Sequence, residues 1–177
     1  MLSTIVFCED EPARAGRRGA DRIESLARTL GSLITANVEG LLRDVAIAGP
    51  RGHGLDAVAD HAGCGLIEAP SEAEWLRLAL EAARGPDILL LRAGRAPEAG
   101  FIEEASDFLA RGKGVRAARL HAAPETILER LFPDWAPLAG LIAPRDLCLA
   151  APSGRFGTLA RSIRPAATLR VRARRIG

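Results

Sequence analysis

Tyrosine is missing from this 177-residue chain, lysine occurs once, at Lys113, and no aspartate or glutamate follows Asp146. Each gap excludes something. Aromatics make up 4% of the residues, and Phe156 is the only one in the acid-free stretch, so there is no ladder of rings on which bases could stack. The formal net charge of +2 is too small to imply a polyanion partner for the whole chain, and nucleic acid is not expected as one. Apolar runs such as Ile88–Leu91 fall far short of the ~20 residues a membrane span needs. From Met1 the chain passes into a strand-like run and then into acids, unlike a secretory signal or a transit peptide, so a cytoplasmic protein is expected. Cys8, Cys64 and Cys148 are odd in number, widely spaced and free of any C-x-x-C pattern, which reads as small reduced core residues. His61-x-x-Cys64 offers two metal ligands, but no second pair completes a site. His53, His61 and His121 sit in unrelated contexts and no G-x-S-x-G occurs, so nucleophilic hydrolysis has no support.

What the chain does have is a 48% apolar composition and a regular alternation of two periodicities. The length suits one domain, residues 1–177, with a core over about 2–150 and a basic segment over 151–177. Leu2–Cys8 reads as a strand. Asp21 can cap a helix, with Glu24 as the return half of a weak capping box, and Ile23, Leu26, Leu30, Leu33, Ile34, Val38 and Leu41 then share one helical face. Asp44–Ala48 is a second strand, Leu55–Ala62 a short helix and Gly65–Ala69 a third strand. Ser71-x-x-Glu74 opens the helix of Trp75 and Leu78, and Gly85-Pro86 stops it. Asp87–Leu91 is a fourth strand, and Pro97 suits the first turn of the helix carrying Phe101 and Phe108. Beyond it, Val115–Leu120 reads as strand and Pro124–Phe132 as helix, with short apolar pieces at Leu138–Ile142 and Leu147–Ala151. Thr168–Val171 reads as a last strand or tail. The alternation predicts a three-layer α/β/α domain with a mostly parallel central sheet.

Ligands of such sheets bind at the carboxyl ends of the strands. The fourth strand ends there in Arg92-Ala93-Gly94-Arg95, two arginines and a glycine where metal-dependent chemistry would want acids. Glu9-Asp10-Glu11 follows the first strand. With "PDILLL" it suggests a phospho-receiver domain, but the acceptor position would be Arg92; otherwise the acids form a solvated turn. Gly49–Gly54 can cradle a phosphate through its N–H groups or be a plain turn, and it lacks both G-x-G-x-x-G and the P-loop pattern. Arg155, Arg161, Arg164, Arg170, Arg172, Arg174 and Arg175 suit anionic lipid headgroups, or an ordinary solvated strand and tail.

In order and layout the chain resembles a short bacterial family 2 glycosyltransferase of the GT-A, nucleotide-diphospho-sugar transferase type. "STIVFCEDE" is similar to that family's first strand and Pro-Thr-x-Asn-Glu-like turn, with Asp10 at the Asn and Glu11 at the Glu. A long helix over Asp21–Leu42 follows in both. "IAGPRGHGLDAVADHAG" and "AARGPDILLLRAGRAPEAGF" match its later framework, and "GLIAPRDL" its acceptor-side segment. The resemblance covers about residues 2–150. It implies a nucleotide-sugar or nucleoside diphosphate ligand, an envelope-type glycan as the acceptor class, and a diphosphate contact set of Asp10, Glu11, Gly49, Arg51, Arg92, Gly94 and Arg95. The departures fall where the chemistry sits. The family's strand-two Asp is Gly49, its metal-holding acid is Gly94 with Arg92 for the preceding His, and the stretch expected to hold its base is acid-free. No catalytic residue and no cofactor are therefore assigned, and Mg²⁺ or Mn²⁺ only with ligands outside these motifs. Three readings stay open. One is a glycosyltransferase-like protein with weak or lost metal-dependent catalysis. Another is a non-catalytic binding or assembly module that pairs with itself or with an active transferase, at the inner membrane surface or away from it. The third is a receiver-like domain.

Overall fold

The computed structural model describes residues 1–9, 19–111, 116–132, 136–152 and 154–176. Strand β1 (Leu2–Phe7) is buried along its whole length and lies between β2 (Leu42–Gly49) and β4 (Asp87–Arg92), parallel to both. An apolar run with no polar alternation is what a strand covered on both faces requires. β3 (Gly65–Glu68) extends the parallel set beyond β2. On the other side β7 (Leu138–Pro144) runs antiparallel to β4 and to β6 (Ala117–His121), and β8 (Ala166–Thr168) closes the sheet parallel to β6. The order is β3-β2-β1-β4-β7-β6-β8, with β7 alone reversed. A receiver domain places β1 beside β3. Here β3 is an outer strand, and the receiver-like reading fails on topology as well as on Arg92.

Two helical layers complete an α/β/α sandwich. Leu89 and Leu91 of β4 face a core closed by α1 (Gly19–Ser32), α2 (Ile34–Val38), α3 (Leu55–Ala62) and α5 (Phe101–Ala110). Ile88 and Leu90 face the other, closed by α4 (Glu72–Ala82), α7 (Arg145–Ala150) and α8 (Phe156–Ser162). Ser71 caps α4 as expected, its side chain accepting from the Glu74 N–H. α6 (Ile127–Leu131) buries none of its residues.

The structure corrects several local expectations. The helix expected over Asp21–Leu42 is broken at Leu33, just past Gly31, and resumes as α2. Pro97 belongs to β5 (Arg95–Pro97), which pairs with β9 (Ala173–Arg175) in a separate two-stranded ribbon. A proline with no N–H is tolerated on such an edge. The following helix opens instead at Phe101, after Gly100 with φ 88°. The short apolar piece at Leu147–Ala151 lies in and just past helix α7, with Ala151 as its C-cap. Val115 lies outside the described residues. The basic segment is not a solvated tail. Phe156, Leu159, Ala160, Leu169 and Ala173 are at most 4% exposed, because α8 and β8 complete one layer and one sheet edge.

Candidate functional site: the carboxyl mouth of β1 and β4

Parallel pairing sets Phe7 beside Arg92, and the ladder continues one step further with the Ala93 N–H donating to the Phe7 carbonyl at 2.9 Å. That register brings Glu9, two residues past Phe7, against Arg92. Arg92 Nη1 lies 2.9 Å from Glu9 Oε2, and the two side chains are 31% and 20% exposed. Arg92 alternates with Ile88 and Leu90, so its stem runs over the α8 side of the sheet. Its guanidinium carbon stands 5.9 Å from the Phe156 ring centre. Phe156 in turn packs on Phe7 at 4.6 Å, and Phe7 stacks on Trp75 at 6.0 Å. The cation therefore rests on a column of three buried aromatic rings, a placement that favours arginine over lysine. Arg92 Nε is buried and makes no hydrogen bond among the described residues.

The other residues expected at the site divide. Gly94 has φ +81°, and its N–H donates to Thr29 Oγ1 at 2.9 Å, so it is the turn that carries the chain from β4 back over α1 into β5. An acid there would sit in the left-handed region, strained for any residue with a side chain. Arg95 does not converge with Arg92. It pairs with Glu125 at 2.8 Å, and Arg175 reaches the same carboxylate at 3.4 Å. Gly49 is a packing glycine: a Cβ built on it would meet Leu55 Cδ1 at 2.8 Å and Cys8 Cβ at 3.2 Å. Arg51 is exposed and makes no ion pair among the described residues. Asp10 and Glu11 lie outside the described residues. Burial pushes the Cys8 thiol up to about 12, opposed by nearby Arg22, which favours its protonated form at neutral pH.

Sequence reasoning missed Glu9, which it left in a solvated turn, and Phe156, which it left in the tail. Glu9 was within reach of a rule: in a parallel pair, residues just past two neighbouring strand ends meet at one edge. Phe156 carried no such signal, since its contact with Phe7 depends on the return of the chain through α7. The fit to a divalent ion can be judged from the donors. Glu9 is already paired with Arg92, the last residue of β4, and no group of three His, Cys, Asp or Glu converges among the described residues. A hard cation needs several oxygen ligands, and among the described residues of this mouth Glu9 is the one carboxylate.

Sheet order, layering and a strand mouth at the topological centre are those of a GT-A-like α/β fold. No protein-family model matches the sequence, and no curated protein matches it. Solved structures do. Glucosyl-3-phosphoglycerate synthase from Mycobacterium tuberculosis, in complex with Mn²⁺, UDP and glucosyl-3-phosphoglycerate, matches with TM-score 0.63 and 16% identity over 94% of this chain and 68% of that one. A mycobacterial protein matches with TM-score 0.64 and 16% identity over 90% of this chain and 58% of that one. The bifunctional IspDF from Campylobacter jejuni matches with TM-score 0.61 and 8% identity over 96% of this chain and 49% of that one. The chain thus spans between about half and two thirds of the length of these relatives, and the likeness is one of fold.

Proposed function

We propose that this chain is a glycosyltransferase-like protein that receives the diphosphate of a nucleotide or nucleotide-sugar on Arg92, without a carboxylate-held metal and with little or no metal-dependent transfer. The supporting observation is the Glu9–Arg92 pair, two residues before Gly94, the position where the resemblance expects a metal-holding acid. The pair is a resting state that a stronger anion can displace. A partly exposed ion pair contributes only ~0–1 kcal/mol. Charge-assisted hydrogen bonds from a guanidinium to phosphate oxygens are worth ~1.5–3 kcal/mol, and the planar fork suits two oxygens at once. Exchange of the Glu9 carboxylate for a diphosphate is therefore downhill by about 0.5–3 kcal/mol on these ranges. The aromatic column keeps the guanidinium fixed, so little ordering cost opposes it. Envelope-type glycans as the acceptor class, and a cytoplasmic setting where nucleotide-sugars are available, belong to the same reading.

Thermal unfolding with UDP, GDP and TDP or their sugars tests it. Stabilisation should be equal with Mn²⁺ and with EDTA, vanish in Arg92→Ala, and grow in Glu9→Gln, where the competing carboxylate is gone. Stabilisation that needs Mn²⁺ would overturn the reading. That the mouth already neutralises its own cation supports a second one, a non-catalytic binding or assembly module. No shift with any nucleotide, in wild type or Glu9→Gln, would select it.

A further inference from the structure

A surface helix normally turns its apolar stripe inward. α6 does the opposite. Ile127, Leu128 and Leu131 fall within an arc of about 100° on the helix, yet they are 75%, 59% and 68% exposed. The helix is well formed without them, since Thr126 and Glu129 make a complete capping box. The ground beside α6 is basic. Ala122 bridges to Ala173 of β9, and the Ala123 N–H donates to the Ala173 carbonyl at 2.8 Å, so β9 lies directly against the segment that leads into the helix. Arg174 and Arg175 of that strand are exposed, as is Arg130 on α6. Two of the described acids beside the helix, Glu129 and Glu125, are tied down internally. Glu129 Oε2 accepts from the N–H groups of Glu125 and Thr126, and Glu125 is clasped between Arg95 and Arg175.

We propose that α6 and the adjoining β9 dock on the anionic surface of a lipid bilayer, with Ile127, Leu128 and Leu131 entering the acyl boundary and Arg130 and Arg174 meeting the headgroup phosphates. An outward apolar stripe bordered by arginines, with Glu125 and Glu129 internally paired, is the pattern of an interfacial helix. Charge decides the occupant. A second copy would bring the same arginines face to face, and three apolar side chains cover far less than the ~800 Å² per partner of a stable protein interface. A bilayer supplies both the missing anions and the missing apolar area. The surface is distinct from Arg92 and does not depend on nucleotide binding there.

Flotation of the full chain with two kinds of vesicle tests the proposal: phosphatidylcholine alone, and phosphatidylcholine mixed with phosphatidylglycerol. Binding is expected to the mixed vesicles only and to be lost at high salt. Ile127→Ser/Leu128→Ser should weaken it about a hundredfold, on the burial of several methylene groups. Arg130→Gln/Arg174→Gln should weaken it about thirtyfold. All these side chains are exposed, so the melting temperature should not move. Equal binding to both vesicles would overturn the proposal, as would binding to neither. A concentration-dependent dimer in light scattering that Leu128→Ser abolishes would replace the bilayer with a second copy.

Discussion

In the middle of the sheet, Leu89 and Leu90 of β4 oppose Ile142 and Leu141 of β7, and all four are at most 1% exposed. Two residues beyond Leu90 the same strand ends in Arg92, held between a carboxylate and a phenyl ring. The centre is stabilised by area removed from water, a non-directional effect that many apolar sequences could supply. The rim depends on particular partners far apart in sequence. Glu72, at the start of α4, accepts from the Phe156 N–H across 84 positions. Glu104 of α5 accepts from the N–H groups of Arg170 and Val171 and holds the chain as it approaches β9. Each rim contact is weak alone; together they set where the cations stand.

The largest test of this contrast is Phe156→Ala, which joins both regions because the ring is buried and also underlies Arg92. It should cost ~3–5 kcal/mol in chemical denaturation. A loss below about 1 kcal/mol would show that the column is not part of the core. Gly140→Ala comes next: a Cβ there would stand 2.7 Å from the Leu90 carbonyl oxygen, and the strand must shift. A cost of ~1–3 kcal/mol is expected. The buried thiols give a pH test of the centre. Cys8 and Cys148 are raised from 9.0 to about 12 by burial, so the folded state keeps protons that the unfolded state releases. Stability should be intact below about pH 9 and fall between about pH 9 and 12, and Cys8→Ala/Cys148→Ala should flatten that fall. At neutral pH a thiol reagent should label Cys64, which is only half-buried, before either of the others. The smallest effect belongs to the rim: Glu125→Gln removes two partly exposed ion pairs and should cost ~0.5–1 kcal/mol, a difference that high salt erases.

The centre was legible in the sequence for the same reason that it is robust. Runs such as Ile88–Leu91, and alternation with capped helices such as the one opened by Ser71, state strand, helix and layer locally. The rim was legible only as residue types. Arg92 and Arg95 were visible as cations following the fourth apolar run, and the fold puts one at the end of β4 and the other at the start of β5. Their separation into two ion pairs followed from Gly94 turning the chain into a second ribbon, which no local pattern announces. The reversed strand β7 was likewise hidden, because an apolar piece of that length reads the same in either direction.

The close packing around Gly49 bears on what this scaffold could become. Leu55 is fully buried and, with Cys8, occupies the space that any side chain at 49 would need. Installing an aspartate there would require Leu55 to shrink in the same step, while Gly94 would have to give up its turn before an acid could stand beside it. An acid at either of these two glycines is thus opposed by the packing or the backbone around it, so placing one there calls for paired changes.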